Sequence, residues 1–230
     1  MKTTLVLATI VVVALLAFGL YQALVVAPTE MTMGDVQRIF YYHVPSAWTG
    51  MLLFFVNFFA SIWYLIKRTS GSDALAVTTA EVGLVFWTIV LLTGPIWARP
   101  VWGIWWTWDA RLTSTLLLWL IYVSYLVLRR FSTGGQTPVL AAALAVFGFA
   151  DVPFVYLSIR FFRTQHPQPV IGGGGSLDPT MWHAALWNWL AFSAFAAVLC
   201  YFRYQLERKQ RDVEETLALE SLLEGSPRLP

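Results

Sequence analysis

From Thr3 to Ala27 the chain carries no charged side chain. A run of that length can cross the hydrocarbon core of a bilayer, which needs about 20 apolar residues. Five more stretches are of the same kind: Val44 to Ile66, Ala74 to Ala98 with Glu81 inside it, Leu112 to Leu128, Val139 to Ile159 with Asp151, and Pro179 to Phe202 with His183. Lipid offers backbone N–H and C=O groups no partner, so each stretch is expected to be a helix. The first could be taken for a secretory signal, but its apolar run exceeds the usual 7–15 residues and Pro28 sits where cleavage would fall. It reads as a retained span. Composition agrees: 12% of residues are charged, about half the share in soluble domains. Too few charges remain to solvate a globule, which excludes a soluble enzyme, a nucleic-acid binder and a disordered chain. The fold class is an all-α integral membrane protein with six transmembrane helices.

Lysine and arginine orient the bundle. With the N-terminus inside, the inner segments hold Lys2, Lys67, Arg68, Arg129, Arg130, Arg203, Arg208, Lys209, Arg211 and Arg228. The outer ones hold Arg38, Arg99, Arg111, Arg160 and Arg163. This imbalance satisfies the positive-inside rule and places both termini in the cytoplasm. The inner turns are short, whereas the outer connections, 28–43, 99–111 and 160–178, are longer and richer in polar and aromatic residues. The last contains the run Gly172 to Gly175, expected to be flexible. Chemistry is therefore expected at the outer face. Beyond Arg203 the chain mixes Leu206, Val213, Leu217 and Leu222 with many charges, which reads as a solvated amphipathic helix ending near Gly225. The part after Arg208 is expected to be dispensable for binding at the outer face.

The densest local signal is Trp102-Gly-Ile-Trp105-Trp106-Thr-Trp108-Asp109-Ala-Arg111. A single tryptophan at this depth belongs to the interfacial belt. Four within seven residues suit a flat apolar wall for a large planar ligand, since rigid aromatic planes stack with little loss of side-chain entropy. In a helix, Trp102, Trp105, Trp106 and Asp109 would share one face. Three histidines lie near the same side: His43 before the second span, His166 in the third outer connection and His183 at the start of the sixth span. Each by itself is ordinarily a structural residue, but two neutral imidazoles from opposite sides can hold a haem iron axially. Two carboxylates fall inside spans. Asp151 precedes Pro153 and is expected to bond backbone freed by a kink, while Glu81 either snorkels or bonds a neighbouring helix.

The stretch Trp102 to Thr113 resembles the tryptophan-rich signature of haem-handling proteins in cytochrome c assembly. The chain is similar to the family of the C subunit of the bacterial cytochrome c maturation system, haem exporter protein C. Arg38 to Pro45, Leu92-Thr-Gly94 with Trp97 to Trp102, and Asp151 to Ser158 match the same family, so the likeness covers nearly all of the chain except the tail. The resemblance implies non-covalent, b-type haem on the outer face of the cytoplasmic (inner) membrane. Its axial ligands fall by motif on His43 and His166. Pro167 stands where the family usually has Gln, and His183 matches no family motif, so it stays the reserve ligand. Trp102, Trp105, Trp106 and Trp108 would form the platform, with Asp109 at its edge and one outer arginine on the propionates.

The implied partners are a periplasmic haem chaperone, an ABC-type ATPase with its membrane subunit, and a small single-span adaptor. That describes a transfer component of an ABC-type complex more than a stand-alone enzyme. Residues 1–202 form the six-helix haem-handling domain in this reading, and 203–230 a charged cytoplasmic tail. The chain has no phosphate-binding Gly-x4-Gly-Lys loop of its own. Two other readings stand beside it: a b-type haem subunit that carries electrons, and a solute transporter, which would be expected to show paired repeats.

Overall fold

The computed structural model describes residues 2–132, 134–168 and 177–224. Among the described residues it is almost wholly helical. Helix α1 spans Lys2–Tyr21 and closes with a π-turn at Gln22–Val26; a short 3-10 turn at Asp35–Ile39 leads into α2, Phe40–Lys67. Then follow α3 (Ser70–Trp102), α4 (Ala110–Phe131), α5 (Thr137–Gly148), α6 (Asp151–Phe161) and α7 (Pro179–Glu224). With α5 and α6 counted as one broken span, six segments among the described residues are long and apolar enough to cross a membrane, as the apolar runs predict. The Gly172 to Gly175 run lies outside the described residues, as does Gly225.

Helices α2 and α3 form the central pair. Their approach is close enough that a Cβ on Gly83 would come within 2.8 Å of the Phe54 ring, the small-residue contact through which membrane helices gain dispersion energy. On one side Phe54, Trp87, Leu118, Tyr122, Ala141 and Val155 join this pair to α4, α5 and α6. On the other, Leu53, Val82, Phe86 and Ala196 join it to α7. Helix α1 leans on α7, where Asn188 Nδ2 donates to Gly19 O at 2.9 Å. The rest of α1 is mostly exposed apolar surface, as a lipid-facing span would be.

The fifth span breaks between Gly148 and Asp151. A Cβ on Gly148 would overlap Ile121 of α4, so glycine permits the close packing there. The expectation for Asp151 needs amendment. At the break Phe149 N–H bonds Ala145 O, Ala150 N–H bonds Phe147 O and Val152 N–H bonds Phe149 O, so backbone carbonyls close the kink. Asp151 Oδ2 is buried without a hydrogen-bond partner.

At the end of the bundle with the short turns, an ion network ties three helices. Asp73 of α3 accepts from Arg129 of α4 through both oxygens, at 2.8 and 2.6 Å, and from Arg211 of α7 at 2.8 Å. Arg211 also reaches Glu207 at 2.7 Å, and Glu207 pairs with Arg203 at 2.9 Å. Arg203 completes the chain by holding both oxygens of Glu81 through the Nε–Nη2 edge of its guanidinium. Glu81 thus bonds a neighbouring helix, the second of the two options its position allows. Helix α7 runs through residue 202 without a break, and its arginines reach back to the bundle as far as Arg211. A cut after Arg208 would remove a partner of Asp73, so the separable part of the tail starts beyond Arg211.

Candidate functional site

Six antiparallel spans bring their three odd-numbered connections to one end, and these surround a pocket. Its lining includes Met33 from the first connection, His43 of α2, Trp97 and Trp102 of α3, Trp105 and Trp106 of the second connection, Arg111 of α4, and His166 and Pro167 of the third. The space is about 830 Å³, including the part open to solvent.

The tryptophan stretch is not the helix its spacing suggests. Gly103 adopts φ 77° and caps α3, its N–H bonding Arg99 O at 3.0 Å. Asp109 then caps α4, Oδ1 accepting from Leu112 N–H at 2.9 Å. Residues 103–109 are therefore a loop between a glycine stop and an aspartate start, both readable in the sequence. Trp102, Trp105 and Trp106 still share the pocket wall, but through the loop and not one helical face. Trp108 does not line the pocket: it is 76% exposed and meets Trp106 edge-on at 5.9 Å. Asp109 does not line it either. Spacing missed Met33, Met51 and Trp87, which also line the space; Met51 and Trp87 lie in ordinary apolar runs and Met33 in a polar connection, with nothing to mark any of them.

His43 is buried, edge-on to Trp97 at 5.8 Å. Its Nδ1 lies 2.8 Å from Thr93 Oγ1, which is also 2.7 Å from Ile89 O. A carbonyl only accepts, so the single hydroxyl proton goes to Ile89 and Nδ1–H donates to Thr93. His166 follows the same logic: Nδ1–H donates to Pro167 O at 2.8 Å. In both rings Nε2 keeps its lone pair, the state in which imidazole ligates a metal. Burial and the Arg111 guanidinium, against the Pro167 carbonyl, push His166 down to about 3, so its ring is neutral throughout the physiological range. His183 stands exposed on α7 and is not part of the lining.

Of the five arginines on this side, Arg111 alone lines the pocket. Arg38 is spent on the end of α1, donating to Ala23 O at 2.6 Å, and Arg99 donates to Gly103 O. Arg160 and Arg163 are exposed and outside the lining. Arg111 donates to Val155 O at 3.3 Å, which leaves other N–H groups for a ligand. Two indole N–H groups here, on Trp97 and Trp106, are buried without an acceptor. The pocket thus offers two imidazole lone pairs, one guanidinium and two unpaired donors in an aromatic shell.

The sequence profile of the family described as Heme exporter protein C matches residues 1–218. The chain belongs to that family. It is 37% identical over 190 residues to Heme exporter protein C of Bradyrhizobium diazoefficiens, covering 81% of this chain and 72% of that one. It is 32% identical over 178 residues to Heme exporter protein C of Escherichia coli, covering 77% and 72%. A mitochondrial protein of Arabidopsis thaliana described as cytochrome c biosynthesis ccmC-like is 32% identical over 186 residues, covering 80% and 71%. The match to the Heme exporter protein C family spans the first five membrane-capable segments, the sixth as far as residue 218, and every residue of the pocket.

Thr93, which the composition of the site does not single out, orients His43. Groups that hold the far nitrogen of a ligating histidine contribute roughly 10–100-fold to metal affinity. Thr93→Val is expected to weaken haem retention by a factor in that range, and Thr93→Ser to restore it; haem dissociation rates measure both. Wild-type retention in Thr93→Val would show that His43 needs no such support.

Proposed function

We propose that this chain binds haem non-covalently at the outer face of the cytoplasmic membrane and presents it to a periplasmic haem chaperone for c-type cytochrome assembly. The observation that carries the reading is the pocket itself, where two imidazoles from separate elements, each with Nε2 free, meet a tryptophan wall and one arginine. The donor set fits a planar iron macrocycle carried as cargo. His43 and His166 would hold its iron, Trp102, Trp105 and Trp106 would stack on the ring, and Arg111 would take a propionate. The basic turns at the opposite end support an outward-facing pocket under the positive-inside rule. Nothing in the arrangement requires the chain to do covalent chemistry: its residues bind, orient and exclude water. Energy for release and the remaining parts of the assembly, an ABC-type ATPase with its membrane subunit and a small adaptor, come from partners.

Titrating the purified, detergent-solubilised protein with hemin tests the reading. A saturable Soret band with low-spin features supports it, and the lack of stoichiometric uptake refutes it. Rapid, reversible reduction by a quinol would instead favour the electron-carrying subunit.

The wall is expected to act by stacking area. Trp106→Phe should keep most bound haem and Trp106→Ala should lose it, since truncating a buried aromatic costs about 3–5 kcal/mol. Trp106 Nε1 has no acceptor among the described residues, so there is a clear contrary outcome. If Phe and Ala lose haem equally in a binding titration, the indole N–H is the essential contact and the stacking account fails.

A further inference from the structure

One carboxylate joins two of the connections around the pocket. Asp109 Oδ1 is used as the cap of α4, while Oδ2 accepts the Thr107 hydroxyl at 2.9 Å, the Thr164 hydroxyl at 2.7 Å and the Gln165 N–H at 3.4 Å. Thr164 Oγ1 then accepts from His166 N–H at 3.0 Å. A continuous line of bonds runs from the start of α4, through Asp109 and Thr164, to the backbone of His166, across 57 positions of sequence. Phe162 N–H closes the end of α6 on Ser158 O, and residues 162–168 form no helix or strand. Burial pushes the Asp109 carboxyl up, but the bonds from Leu112, Thr164, Thr107 and Gln165 outweigh it and hold the group below its ordinary value. It stays ionised, and a hydroxyl on a carboxylate makes a charge-assisted bond, about twice as strong as a neutral one.

The two histidines are held differently. His43 sits on α2 and its Nδ1–H bonds Thr93 of α3, so its anchor is a packed pair of helices. The Nδ1–H of His166 bonds the carbonyl of the next residue, so the ring and its acceptor travel together with the loop. What fixes that loop against α4 is its pair of bonds to Asp109, the short one from the Thr164 hydroxyl and the longer one from Gln165 N–H.

We propose that Thr164 is a positioning residue for His166: by bonding Asp109 it latches the third connection to α4, and opening this bond withdraws His166 from the cargo while His43 keeps its hold. Asp109 is then the fixed half of a latch and not the edge of the tryptophan platform. The proposal rests on the haem reading above, and it makes the His166 side the one that yields at hand-over, because a loop can open without unfolding a span.

The test uses the full-length protein loaded with hemin, with apomyoglobin as scavenger, together with hydrogen exchange of residues 160–168 in the haem-free protein. Thr164→Val is expected to speed haem loss about 10-fold, the low end for support of a ligand, and to raise exchange in that segment. Thr164→Ser, which keeps the hydroxyl, should stay close to wild type. In a His166→Ala background Thr164→Val should add nothing, whereas in a His43→Ala background its effect should persist. A full effect of Thr164→Val without His166, or equal damage from Ser and Val, overturns the latch. If Thr164→Val does not insert, Asp109→Asn preserves the helix cap and is expected to raise the same exchange; unchanged exchange overturns the proposal. Wild-type protein that takes up no hemin refutes the haem reading instead, a result separate from the exchange measurement.

Discussion

His43→Ala is expected to abolish the low-spin spectrum of the hemin-loaded protein, and His166→Ala to abolish it or strongly perturb it. His183→Ala should leave it nearly unchanged. The first two rings line one pocket with Nε2 free, and the third stands exposed outside that lining. The two losses should differ in kind. His43 is buried between α2 and α3, so its removal leaves a gap that no neighbouring ligand fills. His166 lies on a loop, and its removal leaves the His43 side intact, giving a five-coordinate product visible by absorption and electron paramagnetic resonance. Loss of the low-spin signal in His183→Ala with retention in His166→Ala would put the iron elsewhere.

Asp73→Ala is the substitution expected to cost the most stability. Its carboxylate is only 3% exposed and takes three N–H bonds from two arginines on different helices. Removing it leaves Arg129 and Arg211 without their shared counter-charge, and breaking a buried pair from one side costs about 3–5 kcal/mol. The control is Arg130→Ala, exposed on the same helix end, with an expected change within about 0.5 kcal/mol. Denaturation in mixed micelles measures both. A loss below about 1 kcal/mol for Asp73→Ala would mean that the network contributes orientation and little stability. Haem uptake by the surviving folded fraction should be unaffected, because the network and the pocket occupy opposite ends of the bundle.

The tryptophan stretch shows where local reading works and where it stops. Its residue types point to an aromatic site, and the structure puts Trp102, Trp105 and Trp106 on one pocket wall. The helical face that the spacing suggests does not form, because Gly103 ends one helix and Asp109 starts the next. Those two signals stand in the sequence, but the i, i+3, i+4, i+7 pattern competes with them. Trp108 has the same local context as its neighbours and still points away, which no periodicity predicts once the segment is a loop. Asp109 is a comparable case: its cap is local and legible, whereas its bond to Thr164 joins residues 55 apart.

The sequence by itself determined the spans, their number and the family. Apolar length is a property of contiguous residues, and lipid enforces helix on any such run. The residue types of the site were equally legible, since imidazole, indole and guanidinium are chemically distinct wherever they stand. Only the tertiary structure decided which arginine of five faces the pocket, that Glu81 and Asp73 are neutralised by arginines of α7, and that Thr93 and Thr164 support the two histidines. For the groups that stand on helices this depends on how a helix is rotated about its axis, which changes by about 100° per residue. Each also depends on which neighbour the packing brings within about 3 Å, the reach of a hydrogen bond. Partners 50, 55 and 122 residues apart carry no mutual mark along the chain, because the contact exists only after the bundle has closed.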